Sequence, residues 1–427
     1  MQTECTTTAL TFHWVAGREV IARFDGGLAA PAHGICATRA AAWPSRQSAD
    51  RSPNATAILT RGEKSVLAYG VVEQERHRGA AMQQNGFRSA RVHESVTRGH
   101  MRTVVALWLL LAVTSYATVS EAQTPSLVSR DTFATWFREV SNAGRWGPDD
   151  SLGTLNLVTP QKRAAAARSV RAGIVVSLAR PLIPGPNANA IQPLQVQFYQ
   201  GRDGDTHWFL DAPTLPMHGW AFSHIDALSH TAFDGYLYNR YPDTSIDSVR
   251  GTSRLGIETM RAGILTRGVL IDIPWLRGVP YLDADAIVTT ADLAAWERRT
   301  RVRVAPGDVV LIRTGRGARE QAIGAWRVLT GVAGLHPDVA RWLHARGVAA
   351  LGGDASSEHY PSLVPGVSDP IHQLALAAMG MPLLDNLALE NLAQEVATRR
   401  QWTFLFVAAP LPVRGGSGSL INPLAVF

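Results

Sequence analysis

From residue 174 onward, apolar segments of strand length alternate with stretches of helical periodicity, and this alternation constrains the fold more than any other feature of the chain. IVVSLARPL (174–182), LQVQFYQ (194–200), GVLIDIP (268–274), GDVVLIRTG (307–315), GVAALGGD (347–354) and WTFLFVAAPL (402–411) read as strands. TADLAAWERR (290–299), HPDVARWLHARG (336–347) and PIHQLALAAMG (370–380) read as helices between them. The pattern predicts one α/β domain on a mixed sheet. Upstream, the stretch 130–140 places Phe133, Trp136 and Phe137 on one helical face. After a loop rich in turn formers, Thr159 as N-cap and Pro160 at the first helical position open a second helix, which Gly173 ends. There is no internal repeat and no low-complexity tract in this part.

The charge is unevenly distributed. The 427 residues carry a formal charge of +6, yet residues 1–100 hold 12 basic and 8 acidic side chains, while residues 123–427 hold 28 and 26. The body is therefore nearly neutral and has no basic surplus with which to neutralise phosphates, so nucleic acid is not an expected partner. Both cysteines, Cys5 and Cys36, lie at the front, which excludes a disulfide framework or a thiolate metal site in the body.

At Met101 one Arg is followed by an unbroken apolar run from Val104 to Val113, then by Ser120-Glu121-Ala122 before Gln123. This is the order of a secretory signal peptide, and ten apolar residues are about half of what a membrane-spanning helix needs. The reading divides the chain into an upstream extension (1–100) that translation from Met101 would omit, a signal peptide (101–122), and a body of 305 residues (123–427) that is periplasmic or secreted and has no stable membrane span after cleavage. A buried core helix or a signal anchor is the alternative for 101–122.

Several chemistries are excluded from the body. It contains no Gly-x-Ser-x-Gly nucleophile elbow, no phosphate loop and no three-glycine dinucleotide turn; Gly315-Arg316-Gly317 reads as a plain turn. Lys162 is its only lysine, which makes lysine-based covalent catalysis improbable. Eight histidines remain, three of them in the stretch His218-Gly219-Trp220-Ala221-Phe222-Ser223-His224-Ile225-Asp226-Ala227-Leu228-Ser229-His230. In an extended strand His224 and Asp226 project from one face with α-carbons roughly 6.5 Å apart, within reach of one divalent ion. His230 keeps the even spacing but reaches the same place only if the chain bends. Imidazole and carboxylate ligands without thiolate suit Zn, Mn or a similar ion. Taken alone, a His-x-Asp pair is more often structural.

This stretch resembles the signature of the cyclase and kynurenine formamidase family of metal-dependent amidohydrolases, His-x-Gly-Thr-His-x-Asp-x-Pro-x-His. Ser223 stands at the Thr place, His224 at the second His, Asp226 at the Asp and His230 at the last His, whereas Trp220 replaces the first His and Leu228 the Pro. Residues 144–150 with 152–156, 234–236 and 307–315 also look like family segments, so the resemblance runs over roughly residues 135–412. It implies a partly barrel-like mixed sheet flanked by helices, and a second ligand pair at His372 and Asp385, although His372 also fits a capping or packing role. With Trp220 in the first ligand's place, the favoured arrangement is a single ion on His224, Asp226 and His372, out of one or two per chain. His218, two residues earlier, could stand in for that ligand if the loop is rerouted, but the favoured role for it is as a neighbour of the ligands or a substrate contact.

The implied activity is attack of metal-activated water on the carbonyl of an amide, formamide or cyclic amide, with His230 carrying the proton. Trp220, Phe222 and His218 are the expected substrate contacts. Phe198, Tyr199, Trp208 and Phe209 belong either to an aromatic pocket or to the core. His336 and His344 are expected to face solvent, and His359 to border the site. A non-catalytic exported binding protein on the same fold, or a lactonase or lyase using the same ion, are the competing readings. A homo-oligomer, dimer or tetramer, is implied by the resemblance alone.

Overall fold

A computed structural model describes residues 127–427; the segments 1–100 and 101–122, with Cys5 and Cys36, lie outside the described residues. The strands that matter are β1 (Val175–Ser177), β2 (Gln195–Asp203), β3 (Thr206–Thr214), β4 (His224–Asp226), β5 (Ile264–Asp272), β6 (Val309–Arg313), β7 (Ala350–Gly353), β8 (Leu383–Asp385), β9 (Thr403–Ala408), β10 (Gly418–Leu420) and β11 (Leu424–Val426). Among the described residues nine of them form one mixed sheet, in the order β1-β11-β9-β5-β6-β7-β8-β4-β10, curled into a half-barrel. The centre, β5 to β8, is parallel, and both flanks are antiparallel.

Parallel neighbours need crossover connections, and the chain supplies helices. These are α1 (Arg130–Glu139), α2 (Pro160–Arg168), α3 (Ile273–Arg277), α4 (Thr290–Thr300), α5 (Arg316–Ile323), α6 (Val339–Arg346), α7 (Pro370–His372) and α8 (Glu390–Arg399). Helices α3 and α4 link β5 to β6, α5 and α6 link β6 to β7, and α7 leads to β8. Covered by helices, the central strands are buried on both faces: Val309, Val310, Leu311, Ala350 and Leu351 have no exposed surface.

Most element ends differ from the sequence reading by a few residues. Thr159 caps α2 by accepting from the Lys162 N–H, but the helix stops at Arg168, short of Gly173. Strand β5 runs 264–272, because Asp272 accepts from the Trp275 N–H and caps α3 where the sequence suggested two more strand residues. Gly315, read as part of a plain turn, has φ +84° and starts α5. Phe133 is buried, with Trp136 and Phe137 packed beside it, as their spacing predicted.

The loop 144–158 fastens the amino-terminal part to the layer beneath the site. Asp150 accepts from the Tyr238 hydroxyl (2.9 Å) and the Gly153 N–H (2.9 Å), and Thr154 donates to the Ala349 carbonyl (2.7 Å). Gly153 has φ +56° and lies so close to Gly380 that a Cβ would fall 1.9 Å from the Gly380 oxygen. By contrast, Phe198, Tyr199, Trp208 and Phe209 on the hairpin β2–β3 are exposed, and they line neither the cavity at the histidine cluster nor the core. No described helix is long and apolar enough to cross a membrane.

Candidate metal centre

Strand β4 lies between β8 and β10, and its three residues are buried. Strand alternation sends Ile225 into the core and His224 and Asp226 to the other face. In the antiparallel register Asp385 pairs with His224, which brings a second carboxylate to the same place from 159 residues away in sequence. The chain then turns sharply, with the His230 N–H donating to the Ala227 carbonyl (2.9 Å), and the bend returns His230 to the same cavity.

His372 arrives from α7, which continues in π-helical geometry over Gln373–Met379, a feature frequent at functional sites. Its Nε2 lies 3.5 Å from Asp226 Oδ2 and 3.4 Å from Asp385 Oδ2. Both its backbone N–H (2.8 Å) and its Nδ1 (2.9 Å) bond to Glu358 Oε1. Glu358 was not anticipated from the sequence, although His359 beside it was. His359 turns away, with its ring nitrogens on the Pro361 and Asp285 carbonyls.

The fourth imidazole is that of His218, whose Nδ1 sits 3.0 Å from Asp226 Oδ1 while its Nε2 meets Ser417 Oγ at 3.1 Å. Its ring stacks on that of His230, with centroids 4.0 Å apart and planes 11° from parallel. Trp220 turns instead to Tyr360 in an edge-on contact with centroids 5.9 Å apart. Its carbonyl accepts from Arg316 Nη2 (2.6 Å), and Asn386 Nδ2 holds the Gly219 carbonyl (2.7 Å). The expected role of Phe222 in substrate contact is not what the structure shows. Its side chain is buried against Leu194 and Ala221, outside the cavity, and only its backbone serves the site by accepting from His224 Nδ1 (2.8 Å).

The donor set fits a divalent cation. His224, His218 and His372 each turn one ring nitrogen outward to a fixed partner, Phe222 O, Ser417 Oγ and Glu358 respectively, and the other inward to a carboxylate. Metal-bound imidazoles are oriented in this way. The inward His224–Asp226, His372–Asp226 and His372–Asp385 spacings, 3.4, 3.5 and 3.4 Å, are long for charge-assisted hydrogen bonds. They match two ligand atoms on one ion at bonds of ~2.1 Å, which in a tetrahedron lie ~3.4 Å apart. Asp226 Oδ2 and Asp385 Oδ1 are buried without a hydrogen-bond partner, a costly arrangement unless something else satisfies them. Two overlapping groups have ligand atoms close enough to share an ion: His218, His224 and Asp226, and Asp226, His230 and His372, with Asp226 common to both.

Electrostatics reinforce this arrangement. Burial pushes the Asp226 carboxyl upward, but the imidazoles of His230 and His224, with the His218 hydrogen bond and the nearby His372 ring, outweigh it and hold the group well below the usual carboxylate range. Burial lowers His372, yet bonds to Asp226, Asp385 and Glu358 raise it well above an ordinary histidine. Burial is also the main cause that brings His230 down to about 4.

The centre opens on a cavity of about 360 Å³, in the size range of small-ligand sites. His218, His224, His230, His372 and Asp385 line it together with Trp220, Tyr360, Leu329 and Ile191. The remaining histidines stay away from it: His336 bonds Asp338 (2.7 Å) and His344 bonds Asn142 (3.2 Å), so neither simply faces solvent, while His207 lies on the hairpin β2–β3.

The model of the Cyclase family, described as "Putative cyclase", matches residues 176–358. Among solved structures, that of a novel cyclase is similar with a TM-score of 0.62 and 28% identity, covering 68% of this chain and 99% of that chain. Isatin hydrolase A from Ralstonia solanacearum is similar at 23% identity and a TM-score of 0.44, over 62% of this chain and 95% of that chain. An isatin hydrolase bound to the product analogue thioisatinate gives 19% identity and a TM-score of 0.43, over 63% and 99% of the two chains. A comparison with curated proteins finds no match.

Proposed function

We propose that the chain, whose residues 176–358 match the Cyclase family model, is a metal-dependent hydrolase acting on the carbon–nitrogen bond of a small amide, formamide or lactam attached to an aromatic ring. The observation that carries the reading is the pair of buried carboxylate oxygens without hydrogen-bond partners, on Asp226 and Asp385, among imidazoles that line a part-aromatic cavity. When bound, a divalent ion such as Zn or Mn supplies Lewis acidity, lowering the pKa of water and drawing charge from a carbonyl oxygen. Asp226, His224, His372 and Asp385 hold the cation. Trp220 and Tyr360 receive the ring of the substrate, with Leu329 and Ile191 completing the apolar wall. His230 is the proton carrier. Burial keeps its imidazole neutral at neutral pH, and from its place in the cavity lining, stacked on His218, it takes a proton from water and returns it to the leaving nitrogen.

The test is metal analysis of the purified chain beside hydrolysis assays on N-formyl aromatic amides, isatin-like lactams and lactones. Less than about a tenth of an ion per chain, with no turnover after Mn or Zn is added, would sink the enzyme reading. His230→Ala should keep the metal and lose turnover, and loss of both would move His230 from proton carrier to ligand. Turnover of lactones but no amide would make the protein a lactonase instead.

Export is part of the same proposal. A periplasmic or secreted protein starting near Gln123 is supported by the order of residues 101–122. Amino-terminal sequencing from the native host tests it, and a mature chain beginning well before Met101 would end it.

A further inference from the structure

His218 offers the cation one more ligand beside His224 and Asp226, although it lies two residues upstream of the motif place that a ligand should occupy. We propose that His218 is itself a metal ligand, binding through Nδ1, and that it replaces the imidazole missing at position 220. This inference rests on the metal-dependent reading above and names a ligand that the motif alone would assign elsewhere.

Four observations converge on it. His218 Nδ1 and His224 Nε2 both approach Asp226 Oδ1, at 3.0 and 3.4 Å, and the three residues have ligand atoms near enough to share one ion. The other ring nitrogen, Nε2, is fixed by Ser417 Oγ at 3.1 Å, the outward anchor seen on His224 and His372 as well. The backbone makes the detour possible. Gly219 has φ +104°, a conformation that L side chains rarely adopt, and it re-aims the chain directly after His218. Space is reserved for the ring, since a Cβ on Gly418 would stand 2.6 Å from His218 Cε1. The rerouted loop is then pinned by Arg316 on the Trp220 carbonyl and Asn386 on the Gly219 carbonyl. Trp220 is thereby released to the cavity wall, so one loop path both restores the ligand and builds an aromatic contact.

Nδ1 is the ring nitrogen nearer the backbone, and a thiolate with its longer metal bond (about 2.3 Å against about 2.0 Å) falls close to the same point. The experiment is His218→Cys in the full chain loaded with Co²⁺. The result expected is a near-ultraviolet sulfur-to-cobalt charge-transfer band that the wild-type chain, which shares Cys5 and Cys36, does not show. A folded variant that takes up Co²⁺ without the band overturns the proposal. A second variant covers failure of the first to fold. His218→Gln keeps a hydrogen-bond donor toward Asp226 but removes the imidazole, and chelator competition should show Zn²⁺ affinity reduced by more than about 100-fold, beyond the range seen when an outer partner of a ligand is lost. Wild-type affinity in His218→Gln overturns the proposal too. Co²⁺ uptake by the wild-type chain reports separately on the metal-dependent reading, so the two claims fail in different ways.

Discussion

Asp354 is the buried group whose replacement should cost most for the smallest change of shape. It follows β7, has no exposed surface, and collects donors from the turn that starts α5. Thr314 N–H reaches Oδ1 (2.9 Å) and Oδ2 (3.1 Å), Thr314 Oγ1 donates to Oδ1 (2.8 Å), and the N–H groups of Gly315 (2.7 Å) and Arg316 (3.0 Å) donate to Oδ2. Asp354→Asn is isosteric, so it leaves no cavity. It removes the charge and turns one acceptor into a donor. Each retained bond then falls from the charged class, ~1.5–3 kcal/mol net, to the neutral class, ~0.5–1.5 kcal/mol, a loss of about 1 kcal/mol per donor and roughly 3–4 kcal/mol over the set. Native proteins have about 5–15 kcal/mol to lose, so this is a large fraction. With a urea m-value near 3 kcal/mol per M, the midpoint should drop by about 1 M. The exposed Asp247, which also accepts two backbone N–H groups, is the control, and Asp247→Asn should leave the midpoint where it was. A loss under about 1 kcal/mol in Asp354→Asn, at unchanged m, refutes the reasoning that the carboxylate charge secures this turn.

Other outcomes follow from the same geometry. Glu358→Gln keeps an acceptor for the His372 backbone but weakens the bond that fixes its ring, so Zn²⁺ affinity by chelator competition should fall about 10–100-fold with the fold intact. Gly153→Ala forces a side chain onto the Gly380 oxygen in a left-handed conformation, and the thermal midpoint should fall by at least several degrees. Burial, with Arg145 nearby, lowers His344, so its contribution to stability is complete above the ordinary histidine range and is lost as pH falls from there through its lower folded value. Urea midpoints at pH 7.5 and 5.5 should therefore drop more in the wild type than in His344→Gln, and equal drops would contradict this.

The central sheet was legible because its strands are local, apolar and separated by helices whose periodicity is strong. The segments at 307–315, 347–354 and 402–411 contain β6, β7 and β9. What could not be read was set by partners far away. Strands β8, β10 and β11 are three residues each, too short to carry a period, and they exist because β4, β9 and β1 lie beside them. The hairpin β2–β3 hid its second strand because its residues are exposed on both faces and show no alternation to detect. Helix α5 begins at Gly315 with no side-chain cap of its own, since the capping carboxylate, Asp354, comes from the next strand.

The candidate site divides along the same line. His224 and Asp226 were recognisable because a strand's two-residue period puts them on one face, and Asp385 because the family resemblance implied it, even though only the strand register explains its position. His218 ranks lower in the sequence for the reason that makes the motif useful: the motif equates spacing along the chain with spacing across the site. That equivalence holds on a regular strand and fails one glycine upstream of it. With φ at +104°, Gly219 lets the chain fold back, so the side chain six residues before His224 reaches Asp226 while the one four residues before it does not. A substitution at a ligand place is therefore weak evidence that a centre is lost when a second histidine precedes it across a glycine. Testing needs the metal itself, because the imidazole count around Asp226 is the quantity that the motif leaves undetermined.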